Sequence, residues 1–149
     1  MYLEALVKRI RATPRRSEPK PEIAEYLAGP LPDDLRALLS AQAEHDFGHL
    51  YVGDFQMHDD YFKGDVPAEG SNSGEWKTRT DRVIIGHTGG GDLWVVDPGV
   101  KGATSAVELI IHDDDWIAQP SGGSIEEFIA NLYEELDEDE KTEAGLDVG

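Results

Sequence analysis

Apolar residues recur along this chain with two different periods. In residues 2–12, Leu3, Leu6, Val7 and Ile10 fall at i, i+3, i+4 and i+7, which predicts a helix with one apolar face. Lys8, Arg9 and Arg11 take its other side and its C-terminal end, where cations suit the helix dipole. Residues 13–21 read as a Pro- and charge-rich linker. A short helix over 22–28 is stopped by Gly29-Pro30. Leu31, Leu35, Leu38 and Leu39 then mark the buried stripe of a further helix, with Pro32 in its first turn and Asp33 and Asp34 at the positive end of its dipole.

From residue 50 the period shortens. Residues 50–56 read as one strand, with Tyr51, Val52 and Phe55 supplying β-type side chains. Residues 83–85 and 93–96 are short apolar runs bounded by turn residues, which predicts two buried antiparallel strands joined by the glycine-rich stretch 86–92. In residues 105–112, Val107, Leu109 and Ile111 alternate with Glu108 and His112, and 116–118 predicts a last short strand. Ser124 with Glu127 is a capping box before Phe128, Ile129, Leu132, Tyr133 and Leu136 at helical spacing. Beyond Leu136 the chain is acidic at the unfavourable end of that helix, so 137–149 is expected to be a disordered tail. The order of elements predicts a single α+β domain over 1–136: helices first, a sheet in the middle, a helix last.

Charge sharpens this picture. The 149 residues carry a net charge of −18 and no cysteine, which removes disulfides and thiolate metal sites. Residues 1–20 hold six Lys/Arg against Glu4 and Glu18, and the remaining chain holds 7 basic and 29 acidic residues, a net of −22. So acidic a body repels nucleic acid and anionic membrane; it either attracts basic proteins or simply keeps the chain in solution. With no signal-like N-terminus and no apolar run of membrane-spanning length, a cytoplasmic protein is expected.

Candidate chemistry is sparse. Gly86 and Gly91 have the spacing of a phosphate loop, but Asp92 and Leu93 stand where Lys and Ser/Thr are needed. His45 and His49 are four apart, yet Asp46 replaces the catalytic Glu of a zinc motif and Gly48 interrupts the helix, so both read as helix-end and loop residues. Asp113, Asp114 and Asp115 lack the alternating ligands of a calcium loop and read as a solvated turn. No nucleophile elbow or zinc-ligand set occurs; no enzyme, metal or cofactor is expected. The long polar stretch 57–74 combines Asp59, Asp60 and Asp65 with Tyr61 and Phe62, either the mixture a partner interface uses or a loop whose two aromatics pin it onto the core. With Asp92 and Asp113 to Asp115, these are the candidate partner-binding residues.

Leu31-Pro32 with Asp34-Leu35, then Gly86 with Gly89-Gly90-Gly91-Asp92, then Phe128 in the last helix, resemble the SUKH (Smi/Knr-like) superfamily over residues 30–136. The resemblance implies a twisted, mostly antiparallel sheet packed against flanking helices. Many bacterial members are immunity proteins that neutralise a cognate toxin, often a nuclease. Fungal members are regulators of cell-wall synthesis and signalling. The family carries no catalytic set. The expectation is therefore an immunity-type domain for a basic, nuclease-type toxin; the alternative is a regulatory or scaffold domain with another protein partner.

Overall fold

A computed structural model describes residues 1–59 and 66–148. Three helices come first: α1 (Tyr2–Arg11), α2 (Pro21–Leu27) and α3 (Asp33–Glu44). The strands are β1 (His49–Val52), β2 (Phe55–His58), β3 (Val66–Pro67), β4 (Thr78–Arg79), β5 (Val83–His87), β6 (Leu93–Val96), β7 (Val107–Ile111) and β8 (Ile117–Gly122). Helices α4 (Ile125–Glu134) and α5 (Glu138–Ala144) close the chain. Strands β1-β2-β5-β6-β7-β8 form one six-stranded sheet, antiparallel throughout, and β3 pairs with β4 apart from it. The fold is the expected α+β arrangement. No helix among the described residues is long and apolar enough to cross a membrane.

One sheet face lies under the helices. Leu6 and Ile10 of α1, Leu35 and Leu38 of α3, and Phe128 and Ile129 of α4 share a core with Phe55, Val83, Trp94 and Val107 of the sheet. On the other face, Ile84, Leu93, Val95 and Ile110 form a smaller cluster with Val66, against which Trp116 packs. Strands β5 and β6 are thus buried on both sides, which is why they read as unbroken apolar runs. β1 and β2 alternate instead, burying Leu50, Val52, Phe55 and Met57 toward the helices.

Three expectations need correction. The predicted strand over 50–56 is a hairpin: Val52 pairs with Phe55 across a two-residue turn. Gly53 takes a left-handed φ of 56° there, a conformation that glycine adopts without steric cost. The stretch 57–74 is not one loop, because β2 runs to His58 and β3 occupies Val66–Pro67. Residues 138–144 are helical, and the segment docks.

The acids that end α4 unfavourably begin α5 favourably. Asp137 Oδ1 accepts the Glu140 N–H at 2.8 Å, and Glu140 Oε1 accepts the Asp137 N–H at 3.2 Å. Gly145 ends the helix in the left-handed conformation. Ala144 and Leu146 are buried in the main core, and α5 packs on β1. Deleting residues 138–149 is therefore expected to lower folding stability by about 2–3 kcal/mol, the cost of exposing the Leu146 side chain and the surface it covers. Urea denaturation of the truncated chain checks this; an unchanged midpoint would show that the segment does not dock.

The N-terminal segment is also tied down. Glu126 of α4 caps α1 from outside, accepting the N–H groups of Tyr2 at 2.9 Å and Leu3 at 3.0 Å. Burial alone would raise the Glu126 carboxyl, but these bonds and the Met1 ammonium hold it below its ordinary range. Residues 14–20 run along the end of α3, with Arg16 N–H on Glu44 O and Lys20 N–H on Ala43 O.

Candidate functional site

The strand alternation that buries Leu50 and Met57 turns His49, Tyr51, Gln56 and His58 to the opposite face. The register sets His49 opposite His58, Tyr51 opposite Gln56, and Gln56 opposite His87 of β5. Three histidines from three strands thereby meet. The His49 ring centroid lies 5.4 Å from that of His58, 5.4 Å from that of Tyr51, and 6.4 Å from that of His87, to which it is nearly parallel at 19°.

Gly86 makes this approach of β2 and β5 possible. A Cβ there would stand 2.4 Å from the Phe55 ring and 2.8 Å from Gln56 O, so any larger residue forces β2 and β5 apart. The register shifts between Ile84 and Gly86, a bulge that leaves His87 facing outward beside Leu93.

Two hollows adjoin at Gln56. One, of about 500 Å³, is lined by Gln56, His58, His87, Thr88, Gly89 and Leu93. The other, of about 370 Å³, is lined by His49, Tyr51, Gly53 and Gln56 together with Glu140 and Glu143 of α5. Among the described residues, no lysine or arginine lines either.

The glycine-rich connection beside them is internally bonded. Thr88 N–H donates to Asp92 O at 2.9 Å, Asp92 N–H to Thr88 Oγ1 at 3.0 Å, and Gly89 N–H to Asp54 Oδ1 at 2.9 Å. Asp92, expected at the partner surface, is instead committed to β7 and the turn after it. Its Oδ1 accepts the His112 N–H at 3.0 Å and lies 2.5 Å from His112 Nδ1.

The other expected site residues divide. Asp59 is buried, ion-paired to Arg16, with Lys20 Nζ on its carbonyl; burial pushes its carboxyl up even beside that guanidinium. It anchors the 14–20 segment. Asp60, Tyr61, Phe62 and Asp65 lie outside the described residues. Asp113 and Asp114 are exposed in a 3₁₀ turn, and Asp113 stands 3.1 Å from His112 Nε2. Asp115, at a left-handed φ of 55°, turns back to accept the N–H groups of Asn72 at 2.6 Å and Ser73 at 3.2 Å. The Ser73 hydroxyl and these two N–H groups hold its carboxyl below the ordinary range. Asp115 is therefore a loop anchor, while Asp113 and Asp114 stay exposed on the turn.

The histidine face went unread in the sequence because its members sit on separate strands. The one signal was their outward phase in the β1 and β2 alternation, obscured while 50–56 read as a single strand. The neighbouring His45 has no part in it: it ends α3, is buried, and bonds Thr13 O through Nδ1 at 3.0 Å. Among the described residues, no three His, Asp or Glu side chains are grouped to hold a metal ion. Comparison with protein-family models, with curated proteins and with solved structures gave no match.

Proposed function

We propose that this chain is a non-enzymatic, SUKH-like protein-binding domain of the immunity type, which neutralises a basic, nuclease-type toxin. The observation that carries the reading is how charge is distributed after folding. Several basic side chains are already engaged by acids of the chain itself: Arg11 pairs with Glu44 and Arg16 with Asp59, while Arg82 reaches Asp81, Asp97 and Glu108. Arg36 donates to the carbonyls of Leu27 and Gly29. Acids at the end of α4 and along α5 have no such partners among the described residues. Glu135, Asp137, Glu138, Asp139 and Glu143 are exposed, and none has a cationic partner among the described residues. A nuclease must present a cationic groove to phosphate, and such a surface suits that groove as a decoy. Opposite potentials also speed encounter, which matters when free toxin is lethal.

Co-purification from native lysate, with partners identified by mass, tests the reading. The expected result is a small basic nuclease domain whose activity is lost when this chain is added in excess. A basic nuclease left fully active, or partners that are neither basic nor nucleolytic, would overturn it. With the partner in hand, Asp113→Asn/Asp114→Asn is expected to slow association roughly threefold to tenfold at low salt and to flatten its salt dependence, with a smaller change in dissociation. Stopped-flow association across a salt series checks this; identical rates and slopes would remove the 112–114 turn from the encounter surface.

A further inference from the structure

We propose that Trp76 is the anchor point for the basic partner, displayed where the 70–76 segment meets the turn after β7, and that an arginine side chain of that partner stacks on its ring. This rests on the protein-binding reading above and adds which residues make the contact and by what chemistry.

Trp76 differs from the other two tryptophans. It is 56% exposed, whereas Trp94 is buried and Trp116 half-buried. The other two spend their indole N–H groups inside the molecule, Trp94 on Asp54 O at 3.2 Å and Trp116 on Asn72 Oδ1 at 3.0 Å. Trp76 meets Trp116 edge-on, with ring centroids 5.9 Å apart and planes at 87°. A contact of that geometry covers only part of an indole, in keeping with the exposure of Trp76. Tryptophan is also the side chain most enriched where binding energy concentrates at protein interfaces.

The ring it rests on is braced. Asp115 and Trp116 take left-handed φ values of 55° and 63°, the only non-glycine residues to do so among those described. A bulky side chain keeps that conformation only where its surroundings fix it. Gly70 N–H donates to Asp115 O and Trp116 N–H to Ile111 O, both at 2.9 Å. Asn72 locks the joint from its side chain, accepting the Trp116 indole and donating to His112 O at 3.0 Å. Trp116 also packs against the cluster of Ile84 and Ile110. A guest on Trp76 therefore meets a fixed base, with little left to order on binding.

Charge selects the guest. Segments 69–77 and 112–117 carry Glu69, Glu75, Asp113, Asp114 and Asp115 against Lys77. All but Asp115 of these acids are exposed. Asp113 stands 3.1 Å from His112 Nε2, and the His112 ring centroid lies 6.1 Å from that of Trp116, so a carboxylate borders the aromatic pair. Guanidinium is the side-chain group that uses both features at once, stacking its plane on an indole while its fork pairs with a carboxylate. A lysine ammonium has no plane to stack, and an aliphatic guest would leave the acids without a partner.

The test is an NMR titration of the full ¹⁵N-labelled chain with an end-blocked peptide of alternating arginine and glycine, read at the three indole N–H signals. The Trp76 signal and the amides of residues 72–76 and 113–114 are expected to shift, and the Trp94 signal to stay. Trp76→Leu keeps apolar bulk and removes the ring; it is expected to weaken binding about tenfold and to leave the urea midpoint nearly unchanged. Trp76→Phe is expected to recover part of the loss. A Trp76 signal that the peptide leaves unmoved overturns the site however the variants fold. Trp76→Leu binding as tightly as wild type, or equal affinity for the matching lysine peptide, would remove the stacked arginine. Shifts confined to the acids of α5 would reduce the binding to overall charge. Movement of the Trp76 signal on dilution of the free protein would assign the ring to a second copy.

The anchor and the general reading fail separately. If a basic nuclease is captured and inhibited equally well by wild type and by Trp76→Leu, the immunity reading stands and the anchor falls. If the arginine peptide maps to Trp76 but no basic nuclease is inhibited, the anchor stands and the immunity reading falls.

Discussion

Replacing Phe128 by alanine is expected to remove about 3–5 kcal/mol of folding stability, the cost of a cavity left by a fully buried aromatic. Phe128 is 1% exposed. Its ring meets Phe55 edge-on at 5.1 Å and Trp94 at 4.8 Å, so one side chain of α4 packs against two strands of the sheet. These aromatic contacts add about 0.5–1.5 kcal/mol per pair beyond the area they bury. The consequence extends past the core. Phe55 is the residue over which Gly86 closes, and Gly86 precedes His87 of the face shared with His49 and His58. Loss of Phe128 frees the Phe55 ring to move and should loosen the β2–β5 pairing that assembles that face. Urea denaturation measures the stability change, with an unaltered dependence on urea concentration showing that the unfolded reference is unchanged. A change near zero would mean that α4 does not present this side chain to the sheet. Phe128→Leu, which keeps most of the volume and loses the ring contacts, should fall between alanine and wild type.

Asp34→Ala is expected to cost a similar amount, about 3–5 kcal/mol, for a different reason: it orphans buried donors that water cannot reach. The Asp34 carboxylate is buried and joins three parts of the chain. Oδ1 accepts the Leu35 N–H at 2.8 Å and the Ser105 hydroxyl at 2.9 Å; Oδ2 accepts the Ser105 N–H at 2.8 Å and the Ile125 N–H at 3.2 Å. Ser105 and Ile125 are both fully buried, so their N–H groups have no solvent to turn to. Asp34→Asn keeps one acceptor oxygen and is expected to lose roughly half as much. Thermal and urea unfolding of the two variants separate the readings. If Asp34→Ala and Asp34→Asn prove equally mild, the carboxylate is not the tie between the start of α3, the segment before β7 and the start of α4. In the sequence Asp34 reads only as a favourable charge at a helix N-terminus, worth a few tenths of a kcal/mol to about 1. The larger role comes from where Ser105 and Ile125 are brought.

This contrast is general across the molecule. Periodicity alone located α1, α3 and α4, because their faces bury residues three and four apart in a core that the chain must form. It also recognised β5 and β6, whose two-sided burial shows as unbroken apolar runs. The Ser124 cap was legible for the same reason, being a bond between neighbours: its side chain accepts the Glu127 N–H at 3.0 Å. What failed or stayed hidden depended on segments distant in sequence. The acids after Leu136 signalled a frayed end when assigned to α4, and only docking of Ala144 and Leu146 made them the first turn of a further helix. Asp59, Asp92 and Asp115 read as surface charge because a carboxylate carries no mark in the sequence of the arginine, histidine or loop amides that will claim it. The face shared by His49, His58 and His87 exists only because antiparallel register and the bulge at Gly86 set three strands side by side with the same phase. Period two says which residues of one strand face the same way; which strand lies beside it is decided by packing in three dimensions.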